Sequence, residues 1–142
     1  VAVKRGFSKL LAYLADHWHF IWADGTHKIS DSGYDRSGPH SWIVVESDRL
    51  RLRFVNDREL IRLELQGISE SVSKRWFPLD SIQLLLGEET SGERMSGYEA
   101  DFVERRLAEI ESVLSAESVL ETDRRVTALR RTARRRSRNL SH

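Results

Sequence analysis

The stretch from Trp42 to Leu65 constrains this chain more than any other, because apolar residues recur at every second position through three successive runs. A period of two marks strands with one buried face, so the stretch reads as a three-stranded antiparallel meander. A two-residue turn at Asp48-Arg49 and a four-residue turn from Asn56 to Glu59 put the apolar residues on one side. Val45, Leu52 and Leu63 then align across the strands, as do Ile43, Phe54 and Ile61, with Leu50 opposite Leu65. The other side carries Glu46, Arg51 and Glu64 in one row, Val44, Arg53 and Arg62 in the next, and Trp42, Val55 and Leu60 at the end.

In this register Arg53 faces Arg62, and like charges opposed across strands cost roughly a few tenths of a kcal/mol. Glu46 and Glu64 in the adjacent row offer one way to offset them within the fold. The other is a partner carboxylate or phosphate held by the guanidinium pair, with Trp42 as an aromatic anchor. Trp42, Arg53, Arg62, Glu46 and Glu64 are therefore the candidate partner-binding residues.

Helical spacing flanks the meander on both sides. Phe7, Leu10, Leu11, Leu14 and Trp18 share one face of a helix from about Phe7 to His17. His19 to Trp22 reads as a short strand at the sheet edge, and residues 25–41, mostly Gly, Ser, Asp, Thr, His and Tyr, as an irregular loop. Beyond the meander, residues 72–77 alternate as a fourth strand. Pro78 opens a short helix bearing Leu79, Ile82, Leu85 and Leu86, which Gly87 ends. After a loop over residues 88–97, Ser96 and Glu99 match a capping box ahead of a long helix bearing Phe102, Val103, Leu107, Ile110 and Leu114. Ser118 and Glu121 repeat that spacing before a last helix, to about Arg136, whose stripe runs Val119, Thr122, Val126, Leu129 and Ala133.

Strands grouped together and helices grouped around them predict an α+β fold. The expected architecture is an antiparallel sheet of three to four strands, covered on one face by the N-terminal helix, the short helix and two long C-terminal helices. A chain of 142 residues is most economically one domain. Residues 1–123 form its body, and residues 124–142, the Arg-rich end of the last helix and tail, belong to the same domain.

Charge is segregated along the chain. All 22 acids fall in residues 1–123 with 15 Lys or Arg, a net −7, whereas residues 124–142 hold eight Arg and no acid. Arg124, Arg125, Arg130, Arg131, Arg134, Arg135, Arg136 and Arg138 could be neutralised internally by Glu99, Asp101, Glu104, Glu109 and Glu111 on the preceding helix. That internal reading is the primary expectation; the alternative is a nucleic-acid-associated protein that holds phosphates with these arginines. No aromatic residue in the tail offers a base a stacking platform.

Chemistry is sparsely signalled. There is no cysteine, hence no disulfide framework or thiolate zinc site. His17, His19, His27 and His40 lie near one another with Asp16, Asp24, Asp31 and Asp35 interspersed, the weak basis for a metal protein or hydrolase using the His-rich loop 17–40. Their spacing matches no established ligand motif, and solvated or core-capping histidines are the expected reading. No nucleophile elbow or Gly-rich phosphate loop occurs, so a non-enzymatic chain without cofactor is expected. Lys9 and Asp16 interrupt the N-terminal apolar run, no uncharged stretch nears the ~18 residues of a membrane span, and a cytoplasmic protein follows as the expectation.

The run Glu46-Ser-Asp-Arg-Leu-Arg-Leu-Arg-Phe-Val-Asn-Asp-Arg-Glu, the run Trp76-Phe-Pro-Leu-Asp-Ser-Ile-Gln-Leu-Leu-Leu-Gly-Glu, the Tyr98 to Leu114 helix and the Arg-rich end occur in this order. Together they resemble a group of small uncharacterised bacterial proteins, some of them similar to predicted immunity proteins of polymorphic toxin systems. The resemblance implies a cytosolic bacterial α+β protein that works by binding, and it brings no catalytic residue with it. A non-enzymatic, immunity-like module for a basic toxin partner is the function it suggests, since an acidic body steers a basic partner.

Overall fold

The computed structural model describes residues 2–23, 25–35, 40–58, 60–68, 74–88 and 97–140. The fold is α+β. Among the described residues, β1 (Lys28–Tyr34), β2 (His40–Glu46), β3 (Leu50–Asp57), β4 (Leu60–Gly67) and β5 (Phe77–Pro78) form one open antiparallel sheet in sequential order. Helices α1 (Ala2–His17), α2 (Phe20–Ala23), α3 (Leu79–Leu85), α4 (Tyr98–Arg105), α5 (Leu107–Val113) and α6 (Val119–Leu140) accompany it. No described helix is long and apolar enough to cross a membrane.

The meander forms as its alternation requires, with β2, β3 and β4 side by side. Between β2 and β3 the register is the expected one, Ile43 facing Phe54 and Val45 facing Leu52. The Ser47 hydroxyl accepts from the Leu50 amide at 3.2 Å and so fastens the two-residue turn. Between β3 and β4 the register differs by two residues: Leu52 faces Leu65, Phe54 faces Leu63 and Leu50 faces Gly67. The expected four-residue turn is shorter because Asn56 and Asp57 continue β3, paired with Ile61 and Leu60. Arg58 takes φ 52° to turn the chain, the left-handed geometry of tight hairpin connections. Asn56 is held inside by α1, its side-chain amide donating to the Gly6 carbonyl at 2.8 Å.

A two-residue shift leaves every side chain on its expected face, and the core therefore assembles as the pattern demands. Ile43, Val45, Leu50, Leu52, Phe54, Leu63 and Leu65 are buried together with Leu10, Leu14 and Trp18 of the N-terminal segment. Phe54 is the hub, its ring meeting Trp18 edge-on at 4.8 Å and Tyr13 at 6.5 Å. Phe77, Ile82, Phe102, Val103 and Ile110 close the core from the C-terminal half.

Five other expectations change. Residues 20–23 are a helical turn, α2, rather than a strand; Trp18 and Ile21 are both buried, and the Ile21 amide bonds back to the Trp18 carbonyl. The segment read as an irregular loop contains β1, whose residues are nearly all exposed, so it carries no hydrophobic alternation to betray it. Of the proposed fourth strand, residues 72 and 73 lie outside the described residues, residues 74–76 are not strand, and only Phe77 and Pro78 pair with β4. The long helix is two, α4 and α5, interrupted at Arg106 with φ −110° and ψ 17°. There the Arg106 guanidinium donates to the Leu86 carbonyl at 3.2 Å and to the Glu109 carboxylate at 2.7 Å. Its charge is thereby held, Glu109 lying below the usual carboxylate range and Arg106 above its own, each chiefly through their shared hydrogen bond. Ser96, the proposed cap of α4, lies outside the described residues; Gly97 at φ 87° precedes the helix. The last helix runs on past Arg136 to Leu140.

Two measurements test the packing. A Cβ added at Gly67 would run into the Leu114 carbonyl, a backbone atom that cannot swing aside. Gly67→Ala should therefore lose about 2 kcal/mol or more in denaturant unfolding. Burial, reinforced by the Glu99 carboxylate, pushes the Tyr13 hydroxyl up to about 12 from 10.0. The native state then holds that proton longer than the unfolded state does, so this contribution is complete below pH 10 and is lost as pH rises towards 12. Tyr13→Phe should shed that alkaline decline relative to the parent chain, with stability followed from pH 9 to 12.

A candidate partner-binding cleft on the outer sheet face

The described helices pack on the opposite face, and the side chains of the other face of the meander can be placed row by row. Across β2, β3 and β4 the rows are Glu46, Arg51 and Gln66; Val44, Arg53 and Glu64; and Trp42, Val55 and Arg62. The two-residue shift thus removes the opposition of Arg53 and Arg62. Arg53 faces Glu64, with Nε and Nη2 donating to the two carboxylate oxygens at 3.2 and 3.1 Å. Arg62 faces Val55 and reaches the Asp57 carboxylate at 3.5 Å with 60% of its side chain exposed. Glu46 and Arg51 pair at 3.0 Å, and Arg51 continues to the Gln66 side-chain carbonyl at 2.9 Å.

Between these rows lies an open cleft of about 360 Å³. Val44 and Val55 form its floor, and Asp31, His40, Trp42, Arg53, Arg62, Glu64 and Trp76 its walls. Four of the five residues proposed from the sequence, Trp42, Arg53, Arg62 and Glu64, come together here. Glu46 does not line the cleft but anchors the neighbouring row through Arg51.

Both aromatic walls are positioned by contacts that only the folded pairing creates. Trp42 lies across β1, where Gly33 sits directly opposite it; a Cβ there would come within 2.5 Å of the indole. Its Nε1 donates to Asp31 at 3.2 Å, one outer-face position further along β1. Trp76 stands just before β5, and the Arg53 guanidinium lies 4.2 Å from its ring centroid. Arg53 is therefore satisfied on two sides, by Glu64 in the plane of its guanidinium fork and by an indole face. His40 sits 3.5 Å from Asp57, which it shares with Arg62.

The sequence reading missed Asp31, Gly33 and Trp76 as parts of this site. The first two belong to β1, read as a loop, and Trp76 adjoins the Phe77-Pro78 bridge, read as part of a longer strand. A Gly alternating with polar residues ahead of a strand that begins with Trp was the available signal.

The histidines do not converge. His17 meets Tyr13 with tilted rings 5.4 Å apart, His27 contacts Thr26 at 3.1 Å, His40 belongs to the cleft and His19 is exposed just before α2. Among the described residues no three His, Asp or Glu side chains gather as a metal would require, and Asp24 lies outside them. Comparison with protein-family models, with curated proteins and with solved structures found no match.

The two arginines of the cleft should part company on mutation. Arg53→Ala strands the partly buried Glu64 and uncovers Trp76, and should cost about 1–2 kcal/mol in chemical denaturation. Arg62→Ala removes an exposed, loosely paired charge and should stay within about 0.5 kcal/mol of the parent.

Proposed function

We propose that the chain is a non-enzymatic protein-binding module whose partner docks on the outer face of the sheet. The observation that carries this reading is the Trp42–Trp76 cleft: two partly exposed indoles flank an apolar floor on a sheet face that no described helix covers. A sheet face meant only for solvent has no need of such residues, whereas buried anchors in interfaces are drawn disproportionately from Trp and Arg. The charged residues around the floor are tied to one another, Arg53 to Glu64 and Arg62 and His40 to Asp57, which suits a pre-organised recognition surface.

The net −7 of residues 1–123 favours a basic partner by long-range steering. An immunity-like protein that holds a basic toxin domain in the bacterial cytoplasm is the most specific form of the proposal; the resemblance of the meander, Trp76 and α4–α5 motifs supports it.

The test is capture of the partner from the native host by the intact chain and by its Trp42→Ala and Trp76→Ala variants. A basic partner should be retained by the parent, with affinity falling by at least about 30-fold, roughly 2 kcal/mol, in either variant. Equal retention by all three chains would remove the cleft as the docking site. In the immunity form, the captured protein should arrest growth when expressed alone and lose that effect when the parent chain is co-expressed. A harmless partner would end the immunity assignment.

A further inference from the structure

The second half of α6 is the strongest uncommitted feature of the molecule. Its first half is fixed to the body: Val119, Thr122 and Val126 are buried, the Thr122 hydroxyl donates to the Val113 carbonyl, and Arg75 pairs with Asp123. Further along, Arg130 donates to Ser81 at 2.7 Å and to Asp80 at 2.8 Å on α3. From Arg131 to Leu140 every residue is exposed, Ala133 included, so the apolar stripe ceases to dock one turn after Leu129. Ten residues of helix, about 15 Å, run on from there.

Four of the five acids expected to neutralise this end are engaged elsewhere, Glu99 with the Tyr13 hydroxyl at 3.4 Å. Asp101 pairs with Arg105, Glu109 with Arg106, Glu88 with both arginines, and Glu111 with Arg49. Internal pairing of the α6 arginines runs instead from Arg130 to Asp80 on α3 and from Arg124 to its own helix neighbour Glu121. Arg125, Arg131, Arg134, Arg135 and Arg136 make no ion pair or hydrogen bond among the described residues.

Helical geometry then sets where the charge points. At 3.6 residues per turn, Arg124, Arg131, Arg135 and Arg138 fall within roughly 40° of the direction opposite the docked stripe, with Arg134 roughly 80° from it. Arg136 lies roughly 120° from that direction. The outward face is thus a line of guanidiniums about 21 Å long, from Arg124 to Arg138.

We propose that this outward stripe of α6 binds the phosphate backbone of double-stranded DNA without reading its sequence. Guanidinium forks suit phosphate oxygens, and a helix about 10–12 Å across fits a B-form major groove about 12 Å wide. The deep, narrow major groove of duplex RNA excludes such a helix. A helix that lies in a membrane interface sets an apolar face beside its cations, and the apolar stripe of this one is docked against the body as far as Leu129. This surface is separate from the outer-face cleft, so either can fail without the other.

Titration of a fluorescent 20-base-pair duplex with the full chain, between about 50 and 200 mM salt, tests the proposal. Four phosphates engaged predict a slope of about −3.6 in log K against log salt. Arg131→Gln with Arg135→Gln should flatten the slope by about 1.8 and weaken low-salt binding at least tenfold, while helicity by circular dichroism is unchanged. Arg136→Gln, off the stripe, should alter affinity less than twofold. Three results would overturn it: no duplex binding at about 50 mM salt, equal binding by the double variant, or an effect of Arg136 as large as that of Arg135. Binding confined to phosphatidylserine vesicles or to an acidic polypeptide would overturn it as well.

Discussion

Burial of one face of the β2–β3–β4 meander is the constraint on which the remainder depends. Phe54 at its centre needs aromatic neighbours, and Trp18 and Tyr13 supply them from the N-terminal segment, which fixes where α1 lies. Phe77 on β5 needs a cover, which places α3, and α3 in turn gives the first half of α6 something to rest on. With the helices committed to that face, the opposite one is left free to carry Trp42 and Trp76. The candidate site is thus a consequence of how the core is covered, since the same alternation that drives residues inward sets their neighbours outward.

Electrostatics follow a second logic, in which pairing is local and the residue of charge is exported. Arg53 with Glu64, Arg51 with Glu46, Arg62 with Asp57 and Arg106 with Glu109 keep most body arginines on nearby carboxylates. Individually such surface pairs contribute little, but with Asp101 on Arg105 and Glu111 near Arg49 they engage most acids of α4 and α5 away from α6. A segregation of charge that looks in the linear chain like a body and its counter-ion becomes, in three dimensions, a largely self-paired body with a cationic helix running beyond it.

Much of this was legible before folding, and the parts that were not share a cause. The faces of β2, β3 and β4, the helical spacing of α1 and α3, and the grouping of Trp42, Arg62 and Glu64 on one side depend only on periodicity. Register between β3 and β4 depends on the turn, and polar Asn56 and Asp57 look like turn residues until the buried Asn56 amide is seen to serve Gly6, fifty residues away. β1 has no apolar alternation because it borders solvent, so the contacts of Gly33 and Asp31 with Trp42 were hidden with it. The break at Arg106 answers to Leu86 and Glu88 on the end of α3, and no window along the helix contains them. Local pattern reveals faces; partners distant in sequence decide alignment.

The pairing of Arg53 with Glu64 has one more consequence, for the search the chain makes while folding. A hairpin slipped by two residues would keep every hydrophobic side chain on the inner face, but it would set Leu65 opposite Leu50 in the place of Gly67, where a Cβ meets the Leu114 carbonyl. The solvent side adds to this: the slipped alignment would set Arg53 against Arg62 and break the fork on Glu64. The charges outside the core thus proofread the same alignment that Gly67 selects inside it.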